Sequence, residues 1–362
     1  MTATESDVRE ALRDVIDPRN DEDVVSLRLV NEIHVEEDTA RISLAFNTPY
    51  APAEMEIGDR IREAVSELGL EPSLGASVEA KHGYDDEVLP TVRNVIAVAS
   101  GKGGVGKTTV AANLAAGLHE RGARVGLLDA DVHGPNAPKV LADAGEPGVT
   151  PNGDIVPPRA DGVAVMSMDY LAPDTDAPAI MRGPMVNSVM MKFIEEVNWG
   201  QLDYLVVDLP PGTGDASLNL LQTLPVAGVV IVTTPQEMAV QDAKKGLRLF
   251  DEHDTPVLGI VENMSAFHCP GCDDEHDVFG TGGGRDISEE YEVPLLAELP
   301  VHPDFDSDRF DGAVVRAEDS DVRPALEELV GGVADRVGEI NRRSVREALA
   351  DHEEPVPTEA DD

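Results

Sequence analysis

The sequence predicts an α/β protein in which a mainly parallel sheet is covered by helices on both faces and is preceded by a small α+β domain. Along residues 93–345, short apolar runs alternate with helical segments, which is the pattern of a buried parallel sheet. The apolar runs occupy residues 94–99, 124–128, 163–168, 203–207, 226–232 and 256–261. The helical segments between them occupy residues 107–120, 184–197, 217–224 and 239–252.

The first 84 residues have the mixed pattern of a small α+β domain. Helices are predicted over residues 7–16 and 54–68. Strands are predicted over residues 24–35, 40–46 and 73–80.

Residues 85–92 are acidic and contain a proline, so we interpret them as a linker to the larger domain, residues 93–345. The last segment, residues 346–362, is polar and acidic with two prolines, and we expect this tail to be disordered.

The charge balance is strongly acidic, with 28 Lys+Arg against 70 Asp+Glu and a net charge of −42. A surface of this sign excludes non-specific nucleic-acid binding, which needs a basic patch. The acid is spread along the whole chain, and this indicates a halophilic protein whose self-repulsion is screened by a very salty cytoplasm. No stretch approaches the about 20 apolar residues that span a bilayer, so we expect a soluble, cytoplasmic protein that does not insert in a membrane.

Residues 101–109 read GKGGVGKTT and match the phosphate-binding loop pattern G-x-x-x-x-G-K-[ST] in full. An apolar strand precedes the loop and a helical pattern follows it, so its backbone N–H groups should bind phosphate at a helix N-terminus. Lys107 would neutralise the β- and γ-phosphates, and the Thr108 hydroxyl would bind Mg²⁺. The predicted nucleotide contacts in the loop are Gly101, Lys102, Gly103, Gly104, Val105, Gly106, Lys107, Thr108 and Thr109. The sequence therefore predicts hydrolysis of a nucleoside triphosphate, ATP first among them.

Acidic residues end two of the other predicted strands. Asp208 follows one apolar run, where a carboxylate can hold the magnesium through water. Gly212, shortly after it, can offer its N–H to the γ-phosphate. Asp129 and Asp131 follow another run, and one of them could orient or deprotonate the attacking water.

The only two cysteines of the chain, Cys269 and Cys272, stand in C-x-x-C spacing. A [4Fe–4S] cluster takes four cysteines, and a symmetric dimer would supply them as two from each chain. Zinc is an alternative, with His268 or His276 as a further ligand. A redox dithiol and an inert structural pair are the other two alternatives that the residues leave open.

The second lysine of the loop, Lys102, makes GKGGVGKTT resemble the deviant Walker A motif of dimeric ATPases that include MinD, ParA, the nitrogenase iron protein and the Mrp/ApbC carriers. The resemblance extends over about residues 93–340. Residues 129–136 (DADVHGPN) resemble switch I and residues 208–215 (DLPPGTGD) resemble switch II. The resemblance implies a homodimer in which the extra lysine reaches the partner's nucleotide.

Within the same family, VENMS at residues 261–265 resembles the adenine-side segment, which implies that Asn263 contacts the base. The resemblance also favours Asp131 as the residue that activates water. The catalytic residues that follow from the motif and the resemblance together are Lys102, Lys107, Asp131 and Asp208.

The CPGC motif is followed by Phe279 and a GTGGG run, and this arrangement resembles the Mrp/ApbC/Nbp branch of iron–sulfur carrier ATPases. That resemblance implies a labile [4Fe–4S] cluster bridging two chains through Cys269 and Cys272. It also implies slow ATP turnover and transfer to apo iron–sulfur client proteins, with cluster assembly factors as further partners. The rival reading is a positioning ATPase like MinD whose cysteine pair binds zinc structurally. MinD-type proteins use a basic amphipathic tail, whereas residues 346–362 are acidic.

About residues 5–82 resemble the MIP-family domain of iron–sulfur assembly, which often precedes Mrp-type ATPases. The resemblance is carried by the residues 15–18 (VIDP), the residues 24–30 and the residues 47–52 (NTPYAP). Many members of that family have cysteine before the second proline, where this chain has Ala51. We therefore expect a docking or scaffolding module without a thiol function.

Overall fold

The computed structural model describes residues 3–19, 21–76, 88–131, 134–142, 145–171, 183–212, 214–269, 271–272, 274–306 and 309–351. The chain divides into two compact units. One combines Met1–Tyr84 with Asp335–Asp362, and the other is Asp85–Ala334. The second unit ends at Ala334, because part of the last helix is grouped with the N-terminal unit. The predicted domain bounds, 1–84 and 93–345, stay a prediction.

The N-terminal unit contains a three-stranded sheet and two helices in the first part of the chain. Its elements are α1 (Glu5–Ala11), β1 (Val30–Glu36), β2 (Thr39–Leu44), α2 (Pro52–Glu67) and β3 (Glu71–Ala76). Strand β2 is antiparallel to β1 and parallel to β3. The predicted strand over residues 24–35 is wrong in its first half, which forms turns with Arg28 at a φ of +56°. The predicted strand at residues 73–80 ends at Ala76 in the structure, and residues 77–80 lie outside the described ranges.

The larger unit is built around a mostly parallel sheet flanked by helices, as predicted. Its strands are β4 (Val92–Ser100), β5 (Val125–Asp129), β6 (Gly148–Val149), β7 (Ile155–Val156), β8 (Arg159–Ala160), β9 (Val163–Ser167), β10 (Leu202–Asp208), β11 (Val226–Thr233), β12 (Val257–His268), β13 (Glu275–His276) and β14 (Leu295–Val301). Its helices are α3 (Lys107–Glu120), α4 (Ala137–Val140), α5 (Gly183–Glu195), α6 (Asp215–Thr223), α7 (Glu237–Glu252) and α8 (Gly283–Tyr291).

The parallel strands follow the order β14-β12-β11-β4-β10-β5-β9. Two further strands pair with this sheet in antiparallel orientation: β13 pairs with β12, and β8 pairs with β9. Strand β12 is twice as long as predicted, 12 residues, since it continues through polar residues to His268. The two strands that flank β4 are β11 and β10, so the loop after β4 lies at the middle of the sheet.

The last element in the described part of the chain is a long helix, α9 (Arg323–Asp351). Its first part buries Leu326, Leu329 and Val333 in the larger unit, and its second part, from Asp335, belongs to the N-terminal unit. Residues 346–351 are helical, which differs from the predicted disordered tail. The next proline is Pro355, so no helix breaker stands before Asp351. The rest of the tail, residues 352–362, lies outside the described residues. None of the helices in the described part of the chain has the length and hydrophobicity needed to cross a bilayer.

A buried ion cluster joins α9 to the rest of the N-terminal unit. The guanidinium of Arg342, 6% exposed, lies 3.2 Å from Oε1 of Glu54 and 3.8 Å from Oδ2 of Asp17. Both carboxylates are buried. Burial raises the pKa of Glu54 to about 7, although the hydroxyl of Thr48 and the charge of Arg342 act in the opposite direction. Arg342 is therefore the cation that compensates two desolvated carboxyl groups.

Replacing Arg342 with leucine should lower the free energy of unfolding of the N-terminal unit by roughly 3–5 kcal/mol, since it removes the positive charge that lies beside two buried carboxyl groups. The matched control is Arg62→Leu, which removes an exposed ion pair with Asp59. This variant should change the free energy of unfolding by less than about 1 kcal/mol. The free energy of unfolding of this unit is measured in both variants from the hydrogen-exchange rates of the backbone amides in β1, β2 and β3 at increasing denaturant concentration. Equal losses in the two variants would contradict the role of the buried cluster.

Candidate functional site

The phosphate-binding loop, residues 101–106, connects the central strand β4 to α3. Gly104 and Gly106 have φ angles of +82° and +81°, a region that favours glycine. Helix α3 begins at Lys107, and its N-cap residue Gly106 makes no side-chain hydrogen bond to the first turn. The backbone N–H groups of that turn therefore remain available to an anion.

Lys107, Thr108 and Asp208 form a buried polar contact beside this loop. The Lys107 ammonium pairs with Oδ1 of Asp208, and the Thr108 hydroxyl donates to Oδ2 of the same carboxylate at 2.6 Å. Burial raises the pKa of Asp208, and the Lys107 ammonium opposes that rise. Hydroxyl and carboxylate oxygens are the donors that Mg²⁺ prefers, so Thr108 and Asp208 fit the predicted magnesium site.

Asp129 lies next to Asp208 in register across β5 and β10. It accepts hydrogen bonds from the backbone N–H of Asp131 at 3.1 Å, from that of Ala137 at 3.0 Å and from the Ser167 hydroxyl at 3.1 Å. Burial, followed by the charge of Asp208, raises the pKa of Asp129 to about 6. Asp129 therefore shapes the loop after β5. Asp131, half-buried in that loop, stays our predicted residue for water activation.

Two predicted nucleotide contacts are engaged elsewhere in this structure. The Gly212 N–H donates to the Ser100 carbonyl at 2.8 Å, so a phosphate would have to replace that bond. The Asn263 amide donates to the Val105 carbonyl of the loop at 2.8 Å, and its oxygen accepts from the Met264 N–H at 3.0 Å. In this form Asn263 supports the loop, and the predicted contact with a base would need its amide to turn away.

The other predicted loop residues serve packing as well as backbone geometry. A Cβ on Gly101 would lie 2.3 Å from the backbone of Asp242 in α7, so only glycine fits there. Ser100 donates through its hydroxyl to the Lys102 carbonyl at 3.0 Å, which fixes the backbone of the half-buried second lysine. The structure places the remaining predicted residues in the same loop or at the start of α3, and these are Gly103, Val105 and Thr109.

Gly106 is the loop position where a side chain should be tolerated least. A Cβ there would lie 2.1 Å from Nδ2 of Asn263, whereas a Cβ on Gly104 would meet nothing within 4 Å. Both positions carry similar left-handed strain of about 1–2 kcal/mol for alanine. Thermal unfolding without nucleotide should therefore show a larger loss for Gly106→Ala than for Gly104→Ala. Equal losses would mean that Asn263 does not hold the loop.

The cysteine pair lies at the turn between β12 and β13. The Cys269 N–H donates to the Asp274 carbonyl at 3.0 Å and closes this turn. Within it, the Sγ of Cys272 is 3.4 Å from Nε2 of His276. The donor atoms of Cys269, Cys272 and His276 all lie within 4.8 Å of one another. The structure therefore brings together the two predicted cysteines and one of the two predicted histidines.

The other histidine, His268, lies 3.7 Å from the carboxylate of Glu275 and is not part of this group. Hydrogen bonds from the backbone of Gly271 and Cys272 lower the pKa of the Cys269 thiol. Cys272 is exposed and Cys269 half-buried, and both are free thiols. The pair is therefore accessible to a metal centre or to a partner.

Glu262 is a structural residue of this region that the sequence did not single out. It is buried in β12, and its carboxylate accepts from the Gly284 N–H in the first turn of α8. Burial raises the pKa of Glu262. A Cβ on Gly284 would lie 2.8 Å from that of Glu262, and one on Gly283 would lie 2.5 Å from Val240. The glycine run after CPGC is thus explained by the close packing of α8. The signal that could have identified Glu262 in the sequence is a charged residue within an apolar strand that is followed by a glycine run.

The strand order, the two-lysine loop and the buried Lys107–Asp208 pair define the class, a P-loop NTPase of the MinD/ParA-like fold. Residues 91–334 match the family described as "NUBPL iron-transfer P-loop NTPase", and residues 5–78 match that described as "Iron-sulfur cluster assembly protein". The chain belongs to the NUBPL iron-transfer P-loop NTPase family, with an iron–sulfur assembly domain before it.

Named relatives agree with this assignment. An "Iron-sulfur cluster carrier protein" of Synechocystis sp. is 44% identical over 300 residues, covering 80% of this chain and 85% of the relative. The protein of the same name from Deinococcus radiodurans is 41% identical over 345 residues, covering 93% of this chain and 96% of the relative. A solved nucleotide-binding protein of Archaeoglobus fulgidus, in complex with ADP and with cobalt found, is 34% identical with a TM-score of 0.53, covering 68% of this chain and 89% of that one.

Proposed function

We propose that this protein is an ATP-dependent carrier that binds a labile [4Fe–4S] cluster between two copies of the chain and transfers it to apoproteins. Cys269 and Cys272 of each copy supply the four thiolates that such a cluster takes. The clients are apo iron–sulfur proteins, and assembly factors supply the cluster. The setting is a salty cytoplasm, where reducing conditions keep both cysteines as thiols.

The observation that carries the proposal is that one strand connects the two sites. Strand β12 contacts the phosphate loop through the bond from Asn263 to Val105, and it ends at His268, one residue before Cys269. Cys269 follows Asn263 by six positions along the chain, and the strand between them is irregular at Met264, whose φ is +58°. A change of the loop on nucleotide binding acts on Asn263 and therefore on the strand that positions the cysteines.

In the proposed cycle, ATP binds at the phosphate loop, and Thr108 and Asp208 are the residues that would hold a magnesium ion, whose charge would stabilise that of the phosphates. Water attacks the γ-phosphorus, Asp131 orients it and takes its proton, and the bond to the β-phosphate oxygen breaks to leave ADP and phosphate. Lys107 and the partner's second lysine stabilise the charge on the phosphates. The Gly212 N–H leaves Ser100 to bind the γ-phosphate. Turnover is slow because hydrolysis switches the dimer between two states.

Replacing Lys102 with alanine should lower ATP hydrolysis by about 10²–10³-fold, because it removes a charge from the transition state. ATP binding should change little, since Lys107 and the loop backbone remain. The matched control is Lys192→Ala, which removes an exposed lysine on α5. Steady-state phosphate release and nucleotide titration measure the two effects. Equal hydrolysis by the Lys102 and Lys192 variants would contradict a role of the second lysine in a dimeric site.

The carrier proposal is tested by transfer to an apo-acceptor enzyme whose activity needs a [4Fe–4S] cluster. The reconstituted protein should restore acceptor activity in the presence of a chelator that captures free iron. Transfer with ATP and with a non-hydrolysable analogue tells whether hydrolysis drives loading or release. A protein that holds zinc on the cysteines and restores no activity would instead favour the alternative, a positioning ATPase with a structural zinc site.

A further inference from the structure

We propose that each single chain binds one divalent metal ion through Cys269, Cys272 and His276. This site is complete within one copy, unlike a cluster shared by two. It rests on the carrier function proposed above, because it uses the same two cysteines, and it adds His276 as a further ligand of that site. Its test is nevertheless independent of cluster transfer.

The spacing of the donor atoms fits one ion. Tetrahedral zinc, with bonds of about 2.3 Å to sulfur and about 2.0 Å to nitrogen, holds its ligand atoms about 3.5–3.8 Å apart. The 3.4 Å between Sγ of Cys272 and Nε2 of His276 is close to that separation. Cys269 Sγ lies within 4.8 Å of both, so a contraction of at most about 1 Å completes the three-donor set.

The register of the hairpin selects His276 over His268. His276 pairs with Phe267 across β12 and β13, and His268 pairs with Glu275. Because neighbouring residues of a strand point to opposite faces, His268 and His276 project from different faces. The His268 ring lies 3.7 Å from the Glu275 carboxylate, whereas the His276 ring faces Cys272.

Two thiolates and an imidazole favour Zn²⁺ and other tetrahedral divalent ions over hard cations such as Mg²⁺. Binding requires each thiol to release its proton to solvent and Nε2 of His276 to be unprotonated. Water or a further donor takes the fourth position. Cys272 and His276 are exposed, so the ion can exchange. When two chains share a cluster through four thiolates, His276 is the ligand that is displaced, and a mononuclear ion and the cluster compete.

The test is an anaerobic titration of the reduced, metal-free full chain with Co²⁺, which reports thiolate ligands through charge-transfer absorption and tetrahedral geometry through d–d bands. The wild type should bind one ion per chain. His276→Ala should weaken binding by at least about 10–100-fold, the loss typical of disturbing even a supporting partner of a ligand. His268→Ala, on the same hairpin, is the matched control and should bind as the wild type does.

A second variant, His276→Cys, distinguishes the loss of a metal ligand from a loosening of the hairpin by the alanine substitution. It should restore tight binding and increase the charge-transfer absorption, because a third thiolate replaces the imidazole. Equal affinity of His276→Ala and wild type would overturn the inference, and so would one ion per two chains. Failure of cluster transfer with an intact cobalt site would count against the carrier function alone.

Discussion

Replacing both Cys269 and Cys272 with alanine is expected to abolish cluster binding and cluster transfer while leaving ATP binding unchanged. The two side chains are half-buried and exposed, so their removal leaves no sizeable core cavity. The turn itself is held by the backbone bond from Cys269 to Asp274, which alanine retains. Single variants should also lose the cluster, because each leaves only two of the four thiolates in a symmetric dimer.

The measurement is anaerobic reconstitution of each variant, followed by the visible absorption of the cluster and by a transfer assay. Nucleotide affinity, measured in parallel, controls for folding. His268→Ala is the matched surface variant and should reconstitute as the wild type does. Transfer that survives in the double variant would show that the cysteine pair is not the cluster site, and the carrier mechanism would be wrong.

Replacing Lys107 with alanine is expected to lower ATP hydrolysis at least about 10²–10³-fold, since it removes the cation placed for the phosphates. It should also destabilise the nucleotide-free protein. Lys107 is 6% exposed and pairs with a fully buried Asp208, so its loss leaves a carboxylate without its charged partner. Breaking a buried pair in this way costs roughly 3–5 kcal/mol when the remaining group stays charged.

The destabilisation by Lys107→Ala should depend on pH. Burial raises the pKa of Asp208 in the folded protein, and removal of the opposing Lys107 charge raises it further above the unfolded value. The folded variant therefore holds a proton more tightly than the unfolded chain does. Its stability falls as pH rises from the unfolded value through the folded one. The deficit relative to wild type should be larger at about pH 8 than at about pH 5.

A double variant separates the two consequences of removing Lys107. Adding Asp208→Asn to Lys107→Ala removes the unpaired carboxylate, so the double variant should be more stable than the single one. Neither variant should hydrolyse ATP at a rate close to wild type. Denaturant unfolding at the two pH values measures the first effect, and phosphate release measures the second. A pH-independent deficit would mean that Asp208 is not charged beside Lys107.

The sequence predicted the main elements of the sheet because its central strands are apolar runs. The helix expected at residues 107–120 is α3 as observed, since the glycine loop fixes where it starts. The length of β12 could not be predicted in the same way. Glu262 and Asn263 interrupt its apolar pattern, and each is buried only because it has a specific partner, the first turn of α8 and the carbonyl of Val105.

The sequence also gave no basis for predicting that the last part of α9 belongs to the N-terminal unit. This assignment depends on polar contacts between residues far apart in the chain, as in the bond from the Ala53 N–H to the carboxylate of Asp335, 282 residues away. Arg342 likewise meets Glu54, 288 residues away in the chain. Charge patterns along a sequence indicate solvated faces, and only the fold shows which charges are buried in pairs.

Where a motif set the spacing, the sequence named residues that are in contact in the fold, namely Lys107, Thr108 and Asp208, and their roles stay a prediction. The structure adds the contacts that a motif cannot give. It shows Asp129 as a support for the loop, Asn263 as a support for the phosphate loop, and His276 instead of His268 beside the cysteines. These roles depend on which strands are neighbours and in which register they pair.

The most direct test of the carrier function is to count iron, sulfide and zinc per chain in protein purified without oxygen, together with its molecular mass in solution. We expect a dimer with one [4Fe–4S] cluster per two chains, bound through Cys269 and Cys272. A protein that contains zinc and no iron or sulfide, and that shows no thiolate-to-iron absorption after reconstitution, would contradict the account.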